Sequence, residues 1–416
     1  MGNFNINHNT AMWSRMLSTG SIYSQMFSDY MWEPVNGKIP FIPTKEQIYD
    51  YLMKYAKRFN LLQHIRSGIE VIKVKEHKSD AKQRWQLELK STSTKEITSE
   101  TFDCVMIASG LFRTPNIPEC KNMDKFKGTV MHSIEFELDD ARLKDKKVLV
   151  VGNCTNGVEI CDSLVGHARE IVNIFRRPYI AAKKLEAIKL RNNENKYKIL
   201  TIDLNVNTRY ESYLTQCYDN DEAYRRKYEL VVHRGPQQIH KIYGNPDLFY
   251  HDRVDSFVRI GFSSNYLSYV NQDKIKAKKA NIIDVDESGV HLDDGSYEAV
   301  DVILFCTGLN LNVDYLDDEV VRKMEIDRNN YRYQFLLYKS TIHPAYDNLA
   351  MISQNDGLFF IGAELQARWA SLLFSGKMAF PDKENMWKEI DLQREKRNMN
   401  LNEKVQVGSH VFQVDN

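Results

Sequence analysis

The stretch Lys146–Pro178 reads K-D-K-K-V-L-V-V-G-N-C-T-N-G-V-E-I-C-D-S-L-V-G-H-A-R-E-I-V-N-I-F-R-R-P. Val148 to Val151 form a continuous apolar run that stops at Gly152, the pattern of a buried parallel strand. A small polar loop follows: Gly152, Asn153, Cys154, Thr155, Asn156 and Gly157. Val158, Cys161, Leu164 and Val165 then recur at helical spacing, and Gly166 marks the helix stop. A second apolar run, Ile171 to Phe175, ends on Arg176-Arg177. Strand, glycine loop, helix and strand within about thirty residues is the plan of a dinucleotide-binding unit. The helix N-terminus offers unpaired N–H groups and a positive dipole end to a pyrophosphate. An acidic residue at the end of the second strand would accept a ribose 2′-hydroxyl; arginines there suit a 2′-phosphate. The pair therefore points to NADP(H) over NAD(H). Cys154 stands where the G-x-G-x-x-G pattern has its second glycine, and a generic strand–turn–helix is the competing reading.

Composition narrows the classes. With 416 residues and 43% hydrophobic content, the chain can bury cores for two domains. Lys plus Arg and Asp plus Glu are 56 each, so no net field points to nucleic acid or an acidic membrane. Six cysteines, at 104, 120, 154, 161, 217 and 306, include no C-x-x-C and read as reduced, mostly buried thiols. No metal-ligand spacing, apolar run of spanning length or signal-peptide core is seen. These features predict a cytoplasmic protein without a membrane span, and leave homo-oligomerisation open.

Along the chain, residues 1–10 read as disordered, and Ala11–Trp32 is rich in aromatics and methionine. That second stretch reads either as core packing under a loop or as the wall of a site for a flat ring. Thr44 and Gln47 form a capping box for a helix over Glu46–Phe59. Strands are expected at 69–75, 84–90 and 102–107, and Phe102–Gly110 reads as a buried strand ending in small residues. Helix is expected at Ile180–Arg191 and Asp221–Tyr228, inside an insertion of about 178–265. Further strands are expected at Ile282–Val285, Val290–Leu292, Val300–Phe305 and Leu358–Ile361, with D-D-G-S at 293–296 as a hairpin turn. Glu364–Ser375 and the charged stretch after Asn385 read as helices. Val300–Phe305 closes on Cys306-Thr307-Gly308, echoing Ala108-Ser109-Gly110. The pattern predicts an α/β protein with two Rossmann-like domains whose chain crosses between them.

Several ordered stretches resemble the flavin-containing monooxygenases. F-K-G-T-V-M-H-S-I-E-F at 126–136 matches the family signature F-x-G-x-x-x-H-x-x-x-[FY], and Phe136 is similar to the heteroatom-oxidising branch. V-D-V-I-L-F-C-T-G-L at 300–309 resembles the family strand ending in T-G, and E-L-Q-A-R-W at 364–369 a C-terminal segment. M-W-S-R-M-L-S-T-G to S-D-Y at 12–30 resembles the segment lining the flavin ring. The resemblance runs from about residue 12 to 390, and Cys154 is similar to the small residue found in bacterial trimethylamine monooxygenases. It implies FAD and NADPH as cofactors, and O₂ with a small amine or sulfide as substrates. The implied chemistry is oxygenation through a flavin hydroperoxide.

By the same resemblance, Gln366 would contact the flavin, and Thr307 and Gly308 would bind cofactor. The 152–157 loop with Arg176 and Arg177 would hold NADPH, and Thr19 would stand where the family has an asparagine beside the reactive flavin carbon. His132 is expected to bond backbone at a domain junction. The resemblance also implies domains at 1–140 (FAD), 141–308 (NADP(H)) and 309–416 (FAD domain and tail). The family's opening strand–glycine loop–helix is not found in this chain, so the FAD domain is expected to lack its first unit. The alternative reading is a catalytically impaired NADP(H)-binding remnant or partner subunit. A disulfide oxidoreductase would need a redox cysteine pair that the spacing does not supply.

Overall fold

The computed structural model describes residues 12–34, 37–79, 82–110, 112, 114–176, 180–182, 185–189, 197–201, 260–328, 335–353 and 359–402. Arg177, the helix expected at 221–228 and the first ten residues lie outside them. Helix α1, Lys45–Arg58, starts at the predicted capping box: Thr44 caps Gln47 N–H, and the Gln47 side chain accepts from Thr44 N–H. Strands β1 (Ile69–Ser79), β2 (Lys82–Ser91) and β3 (Ile97–Phe102) form an antiparallel sheet. The single strand expected to Gly110 is broken. After β3 the chain turns at Asp103, whose carbonyl accepts from Asn348, and β4 spans only Val105–Ile107. Met106 in β4 is 40% exposed, so this strand is buried on one face only. A short β5 follows at Thr114–Pro115.

The organising sheet is parallel and five-stranded. Its strands are β6 (Thr129–His132), β7 (Lys147–Val151), β8 (Glu170–Phe175) and two later ones. Helix α2, Thr155–Leu164, joins β7 to β8 and stops just before Gly166, which takes φ +85°. Residues 180–191, expected as helix, hold β9 (Ile180–Ala182) and β10 (Leu185–Lys189), which pairs with β11 (Tyr197–Thr201). The Ala, Lys, Leu and Glu there favour helix by fractions of a kcal/mol each, about what strand pairing overrides. β9 pairs instead with β12, Ile260–Phe262, and helix α3 follows at Tyr266–Asn271.

β13 (Lys276–Lys279) then joins the edge of the parallel sheet. A meander follows: β14 (Ile282–Val285), β15 (Gly289–Leu292) and β16 (Tyr297–Ala299), with the predicted turn at 293–296 between the last two. β17, Val302–Phe305, closes the sheet in the order β13-β8-β7-β17-β6. Alternation along β7 explains its two covers. Val148 and Val150 pack with Val158, Cys161 and Tyr266 on one face, and Leu149 packs with Val290, Leu292 and Phe305 on the other. Each such fully buried aliphatic side chain contributes about 1.5–3 kcal/mol.

β18 (Leu309–Asn310) pairs with β5, helix α4 spans Asp318–Lys323, and β19 (Leu349–Met351) pairs parallel with β4. Phe359–Phe374 is helix α5, so Phe359 to Ile361, expected as part of a strand, are instead its first turn, and Leu358 lies outside the described residues. A short apolar run reads the same in a buried strand as in a buried helix, and here length decides for helix. Helix α6 spans Lys383–Asn402. No described helix is long and apolar enough to cross a membrane.

Candidate functional site

After β7 the chain goes to β8 on one side, while β17 lies on the other. The C-terminal end of β7 is therefore the switch point of the sheet, where open α/β sheets bind ligands. Gly152 sits there with φ +109°, and its N–H donates to Ile174 O at 2.8 Å. A Cβ on Gly152 would lie 2.6 Å from Cys306 O, so only glycine fits between the loop and the end of β17. A Cβ on Gly157 would lie 2.1 Å from Gly152 O, which lets α2 press onto the loop. The predicted loop 152–157 thus packs on Cys306, the residue just before the predicted Thr307 and Gly308.

Cys154 is the N-cap of α2 but makes no side-chain cap bond, and no acidic residue stands in the first turn. The N-terminus of this ten-residue helix turns its positive dipole end toward the loop. Asn153 is 2% exposed, and its Oδ1 is buried without a hydrogen-bond partner among the described residues. A helix N-terminus without a side-chain cap from Cys154 and two glycines with no room for Cβ fit a pyrophosphate-containing dinucleotide. Arg176, exposed, immediately follows β8 beside the loop, where a ribose phosphate would meet it.

The Thr307–Gly308 corner is clamped from outside the sheet. Thr307 Oγ1 donates to Asn116 O, Asn116 N donates to Gly308 O at 3.0 Å, and Asn116 Nδ2 reaches Thr307 O at 3.2 Å. His132 Nδ1 accepts from Ile134 N, which leaves Nε2–H to donate to Gly308 O at 3.0 Å. Burial lowers the His132 pKa, so the ring is held neutral in this structural bond, as the sequence suggested. The signature's other positions have physical reasons too. A Cβ on Gly128 would lie 2.4 Å from Asp301 O, and Phe136 packs edge-on to Trp13 with ring centroids 5.4 Å apart. Burial pushes the Cys161 and Cys306 thiols up, so neither is a ready nucleophile.

Trp13 carries the 12–32 segment onto this core, and Thr19 lies half-buried within that segment. Within the stretch Trp13, Ile22 and Trp32 are buried, as core packing requires, while Tyr23 and Met31 are exposed. The segment is also tied to α5, because Glu364 accepts from Ser28 N at 2.9 Å and from Ser28 Oγ at 2.6 Å. Gln366, two residues on, is 7% exposed; its Oε1 accepts from Ser353 N and its Nε2 donates to Ser340 O. It thus fixes two loops beside α5. Among the described residues one strand–glycine loop–helix cradle is present. No described cluster of His, Cys, Asp and Glu could hold a metal ion.

Sequence reading missed Asn173. The amide is 0% exposed in the middle of β8 and bonds the carbonyl of Gly152. A polar residue inside the run I-V-N-I-F was the available signal.

Fold and cradle together define an α/β dinucleotide-binding protein. The family model for flavin-binding monooxygenase-like proteins matches residues 6–415, and the chain belongs to that family. Rabbit (Oryctolagus cuniculus) dimethylaniline monooxygenase [N-oxide-forming] 2 is 27% identical over 394 residues, covering 93% of this chain and 68% of the relative. The rat (Rattus norvegicus) form 4 is 25% identical, covering 87% of this chain and 60% of the relative. The chain therefore spans about two thirds or less of such relatives. Among solved structures, Tmm from Pelagibacter sp. strain HTCC7211 superposes with a TM-score of 0.62 at 19% identity, covering 92% of this chain and 66% of that one. S-allyl-L-cysteine S-oxygenase from Allium sativum gives 0.59 at 18% identity, with 94% and 69% covered. At these identities the superpositions speak to the fold.

Proposed function

We infer that this chain acts in an NADPH- and FAD-dependent monooxygenase reaction that places one atom of O₂ on a soft nucleophile, an amine nitrogen or a sulfide sulfur. The observation that carries the reading is the meeting of the Gly152–Gly157 cradle, the Thr307–Gly308 corner and Arg176 at the switch point of the parallel sheet. Family membership and relatives named for N-oxide formation support the substrate class.

When bound, the flavin and nicotinamide supply the reducing equivalents and the activation of oxygen. This chain's residues bind and orient. The loop from Gly152 to Gly157, with Asn153, Cys154, Thr155 and Asn156, would face the NADP(H) pyrophosphate through backbone N–H groups and the α2 dipole. Arg176 and Arg177 would hold the 2′-phosphate by charge-assisted hydrogen bonds. His132 and Asn116 fix the Gly308 carbonyl at the end of the β17 corner. Thr19 would donate one hydrogen bond at the reacting face, and Gln366 would keep the loops beside α5 in place for the flavin. A heteroatom lone pair needs no general base, which agrees with a neutral, fully bonded His132 and with protonated buried thiols.

The test supplies purified protein with FAD, NADPH, ¹⁸O₂ and either a tertiary amine or a thioether, and reads the product by mass spectrometry. One ¹⁸O atom per product, dependent on NADPH, is expected. NADPH binding with no labelled product favours the second reading, an NADP(H)-binding protein or partner subunit. The single cradle among the described residues is the observation that keeps that reading in view.

A further inference from the structure

β8 reads Glu-Ile-Val-Asn-Ile-Phe, and Asn173 interrupts its apolar run. The side chain is 0% exposed, at a position where a strand in a two-faced parallel sheet normally places Val, Ile or Leu. A buried amide is unfavourable unless its groups are paired, and this one is paired in a particular way. Nδ2 donates to Val150 O and to Gly152 O at 3.0 Å each, and Oδ1 accepts from the Tyr266 hydroxyl at 2.6 Å. These bonds lie outside the strand ladder. The two Nδ2 bonds run to the end of β7 and to the first residue of the loop. Gly152 O is also the atom that a Gly157 Cβ would meet at 2.1 Å, so the carbonyl fixed by Asn173 is the one on which α2 rests.

Tyr266 opens α3 and is 1% exposed. The segment around it touches the cradle at two more points. A Cβ on Gly261 would lie 2.9 Å from Asn153 O, so β12 runs directly against the loop backbone. Ser263 Oγ donates to Asp162 of α2 at 2.6 Å, and Asn265 N donates to the same carboxylate oxygen at 3.0 Å. Residues 261–266 therefore brace the loop, α2 and β8 together, and the Tyr266–Asn173 bond is the one that reaches Gly152.

We propose that Asn173 and Tyr266 act as one buried positioning unit that sets the Gly152 carbonyl and, through it, the aim of the loop N–H groups at the NADP(H) pyrophosphate. The proposal rests on the reading of the cradle as the NADP(H) site. Neither side chain touches the dinucleotide; both act through the loop. A double-mutant cycle tests it: wild type, Tyr266→Phe, Asn173→Leu and the double variant, each titrated calorimetrically with NADP⁺, with thermal melts in parallel. Tyr266→Phe is expected to weaken NADP⁺ about three- to tenfold, and Asn173→Leu about tenfold or more. The double variant should bind no more weakly than Asn173→Leu alone, because one unit is broken once.

Two outcomes overturn the proposal and are told apart. If wild type binds NADP⁺ and the variants melt lower yet bind with wild-type affinity, the pair is structural only. If wild type binds no NADP⁺, the cradle reading fails and the positioning role fails with it. Should Asn173→Leu fail to fold, Tyr266→Phe, which removes a single oxygen, decides the matter alone.

Discussion

Replacing Gly157 with alanine sets two effects of opposite sign against each other. Alanine is the better helix former, and in the first turn of α2 it should stabilise by up to about 1 kcal/mol. The new Cβ, however, would lie 2.1 Å from Gly152 O and 2.8 Å from Gly152 C, both backbone atoms of a loop held by β7, β8 and β17. Ordinary contact needs about 3.4 Å, so α2 and the loop must separate by about 1 Å. Overpacking of this kind costs about 1–3 kcal/mol and sometimes more, so strain outweighs propensity. The net loss should be about 1–2 kcal/mol, a fall of a few degrees in melting temperature. Function should suffer more than stability. The displaced N–H groups are those proposed to meet the pyrophosphate, and losing charge-assisted hydrogen bonds worth about 1.5–3 kcal/mol weakens binding roughly 10- to 150-fold. Differential scanning calorimetry and NADPH titration on one preparation check both parts. A variant that melts higher than wild type and binds NADPH equally would refute the close packing of loop and helix.

Two further outcomes are expected. His343 is 1% exposed, and burial pushes its pKa down to about 4. The unfolded chain takes up that proton near pH 6.5, so this contribution to stability is full above about pH 6.5. It is lost as the pH falls toward 4, by roughly 2–4 kcal/mol. Urea melts of wild type and His343→Leu at pH 7 and 4.5 should show a shallower pH slope in the variant; equal slopes contradict the assignment. Thr19 offers one hydroxyl where the resembling family has an amide, so oxygenation should be leaky, with excess peroxide released per NADPH consumed. Thr19→Asn should lower that release several-fold, and unchanged coupling would place the reacting face elsewhere.

The parts of the molecule that were legible in the sequence are those where local chemistry and tertiary packing agree. The Thr44–Gln47 box, the β7–loop–α2–β8 unit and the 293–296 turn each carry their own signal in residue type and spacing. The signature at 126–136 was legible as a family pattern, and its reasons emerge only in three dimensions, where Gly128 meets Asp301 O and His132 meets Gly308 O. Residues 180–191 misled because their helix propensity is small beside the pairing of β9 with β12, some eighty positions away. The apolar start of α5 misled because four residues do not distinguish strand from helix. Asn173 escaped notice because a polar residue in a strand has no meaning until its partners, Gly152 O and Tyr266, are known.

The central claim is that the cradle after β7 takes a 2′-phosphorylated dinucleotide. Its most direct test is a calorimetric titration of the full chain with NADP⁺ and NAD⁺, repeated on the Arg176→Ala, Arg177→Ala double variant. NADP⁺ should bind at least about tenfold more tightly than NAD⁺ in wild type, as charge-assisted bonds to the phosphate require. The preference should collapse in the variant while NAD⁺ affinity holds. Equal affinities in wild type, or a preference that survives loss of both arginines, would contradict the account.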